Sequence, residues 1–362
     1  MANIIANHSN NLTGSINIAG DKSISHRSII LGALSIGETT VEGLLESQDI
    51  LATVSAMRAF GAEIEKKAED KWHIHGLGVG GLDEPDRVLD LGNSGTGVRL
   101  LLGVAASNPI TAFFSGDESL SRRPMARVLN PLEMMGANFV ARSGDLLPLV
   151  CKGPQTLKPI EYTLPVASAQ VKSAILLAGL NAPGKTIIRE PSPTRDHTER
   201  MLKQFGANII VEANDKFEKT ITLKGEIELM GQNIVVPGDP SSASFPLVAA
   251  ILTQGSRIEI KNVGINPLRF GLFEILNEMG AKTELVKKYD GVGEPIADIK
   301  VESSELKGVT VPASIAPRMI DEYPILAVAA AFASGKTTML GLQELRVKES
   351  DRLSAMAAGL KS

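Results

Sequence analysis

The sequence predicts an α/β protein made of repeated units, each holding two helices and several short strands. Two recurring phrases and their regular alternation carry that prediction. The first phrase is an amphipathic helix that closes on Gly-Ala and runs into an apolar strand. It appears as SAMRAFGAEIE (55–65), LEMMGANFV (132–140), MLKQFGANIIVE (201–212) and ILNEMGAKTELV (275–286). Its glycines, Gly61, Gly136, Gly206 and Gly280, lie 75, 70 and 74 residues apart. Glycine is the expected residue just past a helix end, where the backbone takes a positive φ. A fifth copy, LSAMAAGLKS (353–362), puts Gly359 another 79 residues on. The second phrase is an Ala/Leu-rich helix, a glycine turn and a β-branched strand. It reads SIILGALSIGETTVEGL (28–44), GVRLLLGVAASNPITAFF (97–114), SAILLAGLNAPGKTIIRE (173–190), FPLVAAILTQGSRIEIKN (245–262) and YPILAVAAAFASGKTTMLGL (323–342). Such periodic self-similarity marks a repeat architecture.

The helices follow in order from these phrases. The first series is expected to start near Lys22, Asn93, Ser168, Ser241 and Asp321, and the second near Asp49, Arg123, Arg195, Pro267 and Lys348. Four units read as complete. The fifth holds both helices, and its closing strands would be expected beyond Ser362, so the sequence reads as lacking its C-terminal end.

A length of 362 residues exceeds what one core usually serves and suggests two domains. A net charge of -4 argues against a nucleic-acid partner. Cys151 is the lone cysteine, which rules out an intrachain disulfide and argues against a cysteine-based zinc site. The first residues show no secretory pattern, and apolar runs such as 175–180 and 325–333 are too short to span a bilayer. A cytoplasmic protein with no membrane partner is expected.

The polar and basic residues crowd at the helix starts: Lys22-Ser23, His26-Arg27, Arg122-Arg123, Arg195-Asp196-His197 and Arg346 to Arg352. A helix N-terminus offers backbone N–H groups and the positive end of its dipole, which suits phosphate and carboxylate. Asp49, Ser241 and Ser242, taken alone, read as N-caps. Caps do not explain cations at the same places, since these oppose the dipole; arginines there point to anions held between helix ends. Two motifs mislead. GLNAPGKT (179–186) fits the P-loop pattern, but it follows a helix and leads into a strand, the reverse of a nucleotide cradle. GLGVGG (76–81) reads as a turn, and His73 and His75 as surface residues of one strand.

Eight segments in order resemble the enolpyruvyl transferase family, and within it the 5-enolpyruvylshikimate-3-phosphate synthases. They are GDKSISHR (20–27), LGNSGTGVRL (91–100), GDESLSRRPM (116–125), ASAQVKSAILLAGL (167–180), PTRDHTERML (193–202), PGDPSSASF (237–245), DEYPILAVAAAFASG (321–335) and RVKESDRL (346–353). GTGVRL, SAQVKSA and TRDHTE are similar to the bacterial class II branch. The resemblance implies a two-domain enolpyruvyl transferase fold, an inside-out α/β barrel, with five of six expected units. One domain would span 21–232 with three units; the second would combine 1–20 with 233–362 and lack its last unit. In the family the two close over the substrates. Loss of one unit would bare apolar helix faces and make the chain poorly soluble.

The resemblance further implies transfer of the enolpyruvyl group of phosphoenolpyruvate to the 5-hydroxyl of shikimate 3-phosphate, in the shikimate pathway. Lys22, Ser23, Arg27, Ser168, Ala169, Gln170, Arg195, Asp321 and Lys348 would hold shikimate 3-phosphate. Lys22, Asn93, Gly95, Arg123, Gln170 and Arg352 would line the phosphoenolpyruvate pocket, with Gly95 leaving room for glyphosate. Asp321, Glu349 and Lys22 would be catalytic, Asp321 as the proton acceptor. Ala169 stands where some members carry a second serine. The chemistry calls for a base at the hydroxyl, an acid at the methylene carbon and cations to bring two dianions together. It requires no metal or organic cofactor, and the complete form is expected to be a monomer. UDP-N-acetylglucosamine enolpyruvyl transferases share this chemistry but carry Asn after the early lysine and a loop cysteine; here stand Ser23 and 121–125, SRRPM. A non-catalytic binding relic is the rival of another class, which Asp321, Glu349 and Arg352 argue against.

Overall fold

The structure, a computed structural model, describes residues 5, 7–214, 218–291, 293–346 and 350–361. Ten α-helices form among the described residues: α1 (Lys22–Ala33), α2 (Gln48–Ala59), α3 (Gly95–Ala106), α4 (Ala126–Met134), α5 (Ala169–Gly179), α6 (His197–Gln204), α7 (Pro240–Leu252), α8 (Gly271–Glu278), α9 (Tyr323–Ala331) and α10 (Arg352–Gly359). Each begins within four residues of its expected start. Side-chain caps fix several of these starts. Asp21 accepts from the Ile24 N–H at 2.9 Å, Ser94 from Gly97 at 3.1 Å and Ser168 from Val171 at 3.4 Å. Gly61, Gly136, Gly206 and Gly280 take φ of 98, 108, 92 and 103°, the left-handed stops that the Gly-Ala phrase requires.

Three local expectations need correction. Asp49 is not the cap of α2: Ser47 holds that position, and Asp49 lies inside the first turn. Neither Ser241 nor Ser242 caps α7, because Asp239 accepts from the Ser241 N–H at 2.7 Å and Pro240 already opens the helix. Gly359 is no stop either; α10 runs through it and Leu360 is the C-cap.

Among the described residues, the strands form two small two-stranded sheets and four four-stranded sheets of one design. In one, Leu89–Asp90, Thr111–Ser115, Leu146–Lys152 and Asn138–Arg142 lie side by side in that spatial order. The first pair is parallel and the next two pairs antiparallel. Glu161–Thr163, Lys185–Glu190, Lys219–Lys224 and Asn208–Ala213 repeat the pattern. The other two sheets take their first strand from far along the chain. Asn233–Val235 pairs in parallel with 40–42 of Glu38–Glu42, and Thr13–Asn17 pairs in parallel with 257–261 of Arg257–Gly264.

The chain divides into two compact units: Gly20–Val236 with Gly291–Gly293, and Met1–Ala19 with Pro237–Asp290 and Glu294–Ser362. In the first, α1, α3 and α5 are buried along most of their length, and their apolar residues form one continuous core with α2, α4, α6 and the inner sheet faces. Strands such as Leu146–Lys152 alternate buried and more exposed residues, as a sheet with one face on a core must. The helices α3 and α5 touch closely: a Cβ on Gly103 would stand 2.3 Å from the Ala174 carbonyl oxygen. The second unit packs α7 against the sheet of Arg257–Gly264 and Glu294–Glu302, and α8 and α9 join the same apolar core, which includes Leu247, Leu276, Tyr323, Ile260 and Ile299. Phe245, Val328 and Phe332 are exposed in this unit.

GLNAPGKT begins at the last residue of α5, makes a turn and enters Lys185–Glu190, so it cannot be a P-loop. GLGVGG is irregular, and His73 lies on the outer face of Lys71–His75 with its Nδ1 2.6 Å from Glu38 Oε1.

Candidate active site

Candidate residues lie in both units, and each group is described within its own unit. In the unit of 20–236, Lys22 is the first residue of α1, and its ammonium pairs with the Asp49 carboxylate in the first turn of α2. One turn on, Arg27 is only 4% exposed. Its Nε donates to Thr198 Oγ1 at 2.7 Å, Nη1 to the Ser23 carbonyl at 2.8 Å and Nη2 to Ser173 Oγ at 2.8 Å. The guanidinium is therefore fixed against α5 and α6. Between Lys22 and Arg27 the buried His26 ring accepts or donates through Nδ1 to Thr53 Oγ1 at 2.8 Å. Burial, helped by Lys22 and Arg27 and opposed by Asp21, pushes its pKa down to about 3, so it is neutral at pH 7.

Asn93, Gly95, Arg123 and Gln170 come together where α3, α4 and α5 begin. Arg123 Nη2 donates to Asn93 Oδ1 at 3.3 Å, and its Nη1 lies 2.9 Å from where a Cβ on Gly95 would stand. Gln170 Nε2 donates to Thr96 Oγ1 at 3.0 Å, which ties the start of α5 to the first turn of α3. Asp117 anchors the group: it accepts from Leu120 N–H and from Asn93 Nδ2, both at 2.7 Å. These bonds, with the Leu120 N–H first, hold its carboxyl below the usual range. A guanidinium, an amide and the N–H groups of a helix start thus share one small region, an arrangement suited to a phosphate or carboxylate. Ser168 caps α5, Ala169 opens it, and Arg195 stands half-buried just before α6.

The other unit carries Asp321 and Arg352. Arg352, first in α10, donates through Nη1 to Asp321 Oδ1 at 3.1 Å. The next residue, Glu322, points into the interior, where Ser241 Oγ donates to it and Arg269 Nη2 bonds Ser241 Oγ at 2.7 Å. Lys348 and Glu349 lie outside the described residues.

A family model described as EPSP synthase (3-phosphoshikimate 1-carboxyvinyltransferase) matches residues 6–362. The chain belongs to the EPSP synthase family. Curated relatives agree. The 3-phosphoshikimate 1-carboxyvinyltransferase of Parvibaculum lavamentivorans is 57% identical over 361 residues, spanning 100% of this chain and 80% of the relative. That of Paramagnetospirillum magneticum is 59% identical over 349 residues, spanning 96% and 78%. Among solved structures, EPSP synthase from Acinetobacter baumannii superposes with a TM-score of 0.89 at 48% identity, covering 98% of this chain and 79% of that one. The enolpyruvyl transferase NikO from Streptomyces tendae, at 19% identity and a TM-score of 0.72 over 91% and 75%, shares the fold.

Within this EPSP synthase family member, sequence reasoning missed the groups that hold the candidate residues in place: Asp117 under Asn93, and Thr198 and Ser173 under Arg27. Asp49 was visible only as a cap, yet it is the partner of Lys22. One signal was present: Thr198 and Ser173 lie inside the motifs TRDHTE and SAQVKSA, and both are buried polar residues.

Proposed function

We propose that this chain transfers the enolpyruvyl group of phosphoenolpyruvate to the 5-hydroxyl of shikimate 3-phosphate and releases phosphate. The observation that carries the reading is the cluster of Arg123, Asn93, Gly95 and Gln170 at the starts of α3 and α5, an anion seat in a member of this family. In this reading Lys22, Asn93, Gly95, Arg123, Gln170 and Arg352 receive phosphoenolpyruvate. Lys22, Ser23, Arg27, Ser168, Ala169, Gln170, Arg195, Asp321 and Lys348 receive shikimate 3-phosphate.

The reaction adds a proton to the methylene carbon of phosphoenolpyruvate, which leaves positive charge on the carbon bearing the phosphate. The 5-hydroxyl oxygen bonds to that carbon as its proton passes to a base, giving a tetrahedral intermediate. Loss of a methyl proton and cleavage of the carbon–phosphate-oxygen bond then yield the enol ether and phosphate. Asp321 is the proposed base, with Lys22, Lys348 and Glu349 as the acid–base neighbourhood. Arg352 donates to Asp321 Oδ1 at 3.1 Å and so orients the carboxylate. Arg123 and Lys22 offset the charge of two substrates that each carry a phosphate and a carboxylate.

The reading extends to a cytoplasmic monomer that glyphosate inhibits in competition with phosphoenolpyruvate; the bare Gly95 beside Arg123 supports the inhibitor's fit. The test is phosphate release by the 362-residue chain. Release that needs both substrates and is lost in Asp321→Ala is expected. Release from phosphoenolpyruvate alone, or full activity in Asp321→Ala, would refute the assignment.

A further inference from the structure

We propose that Lys172 is a positioning residue for the shikimate-3-phosphate part of the site, aligning Arg195 and Arg27 through two buried glutamates. The inference rests on the function proposed above and deepens it.

Lys172 follows Gln170 by two residues on α5, in a stretch otherwise made of Val171, Ser173 and Ala174–Ala178. Its side chain has no exposure, and its Nζ lies 3.0 Å from Glu190 Oε1 and 2.7 Å from Glu199 Oε1, both buried. Burial alone would lower the lysine pKa, but Glu199 and Glu190 more than offset that and hold it above the ordinary value. Stability is a weak reason for such a cluster, because apolar residues of similar volume often serve as well or better. What an ionic hub adds is fixed geometry, and both of its arms end on candidate substrate residues.

The first arm runs through Glu190. Its Oε1 also accepts from the Thr194 N–H at 3.0 Å and from Thr194 Oγ1, which fixes the turn 191–194 directly before Arg195. The second arm runs through α6. Glu199 adjoins Thr198, whose Oγ1 accepts from Arg27 Nε at 2.7 Å and lies 2.6 Å from Ser173 Oγ. Ser173 adjoins Lys172 and accepts from Arg27 Nη2. The lysine network and the arginine network are thus joined at adjacent residues on α5 and again on α6. Counted together, two cations stand with two carboxylates, a balanced set in a buried place. Lys172 has no path to a ligand of its own, so it acts through these neighbours.

The test is Lys172→Met together with one double-mutant cycle, Thr194→Val with Arg195→Ala, on the full chain, read as the dissociation constant of shikimate 3-phosphate. Lys172→Met and Thr194→Val are each expected to weaken binding about tenfold, and Arg195→Ala by at least as much. In the Arg195→Ala background, Thr194→Val should add less than a twofold loss, because its effect passes through Arg195. Phosphoenolpyruvate affinity in the single variants should change less than twofold. If Lys172→Met does not fold, the Thr194→Val cycle still decides, since that change removes one hydroxyl. Losses that multiply in the double variant, or equal losses for both substrates, overturn the positioning role. A wild-type chain that does not bind shikimate 3-phosphate overturns the proposed function as well, whereas binding with multiplicative losses overturns this inference alone.

Discussion

Gly103→Ala tests whether the contact between α3 and α5 sets the geometry of the proposed phosphoenolpyruvate seat. The new methyl carbon would meet the Ala174 carbonyl oxygen at 2.3 Å and the Ala174 Cα at 2.8 Å. A carbon–oxygen contact is comfortable at about 3.3 Å or more, so the helices are about 1 Å too close. Both obstacles are helix backbone and cannot swing aside, and overpacking of this kind costs about 1–3 kcal/mol. Alanine returns up to about 1 kcal/mol of helix propensity, which leaves a net loss of about 2 kcal/mol at most. Trp72 is the only tryptophan and lies buried in the unit of 20–236, so its fluorescence reports that unit's unfolding. With a urea slope of about 2 kcal/mol/M, the midpoint should fall by up to about 1 M. Separating the helices also stretches the 3.0 Å bond between Gln170 and Thr96, and a misplacement near 1 Å can cost up to about a hundredfold in rate. An unchanged midpoint together with an unchanged phosphoenolpyruvate KM would refute the reasoning.

Asp117→Ala removes the acceptor of both Asn93 and the Leu120 N–H, and should raise the phosphoenolpyruvate KM about tenfold while shikimate 3-phosphate affinity stays the same, as isothermal titration would show. Gly95→Ala forces the Arg123 guanidinium away from the start of α3 and should weaken both phosphoenolpyruvate and glyphosate in steady-state kinetics, with little change in the urea midpoint. His26 is neutral when folded, with a pKa near 3, and takes a proton when unfolded below its ordinary 6.5. The unfolded state therefore binds more protons in that interval, and stability falls as pH falls below 6.5, by about 1.4 kcal/mol per pH unit. Between pH 7 and 5 the loss should reach about 2 kcal/mol, and His26→Gln should flatten this part of the Trp72 unfolding profile.

The repeat made the helices legible because every unit spells the same two phrases, and the positive-φ glycines 61, 136, 206 and 280 mark real helix ends. Boundaries slipped where several polar residues compete for one cap, as with Asp239, Ser241 and Ser242 at α7. The candidate residues Asn93, Gly95, Arg123 and Gln170 were readable because motifs name them; their supports were not. Glu190 closes a strand and Glu199 lies on α6, and nothing in local periodicity says that both meet Lys172. Strand partners such as Asn233–Val235 with 40–42 lay equally out of reach, since strands of three residues give no signal of a mate nearly two hundred residues away.

The strand Thr13–Asn17 has a consequence for the order in which the chain takes shape on the ribosome. Its neighbour begins at Arg257, and the Leu12 N–H bonds Ser256 Oγ across 244 residues. At about 5–20 residues per second, the first strand waits roughly 10–50 seconds for its mate to be synthesised. During that wait residues 20–236 are made, and their apolar side chains can close around their own core. The waiting segment, TGSIN, is polar and stays exposed even when paired. It has little to offer a stray sheet edge, so the nascent chain can leave it idle without inviting aggregation.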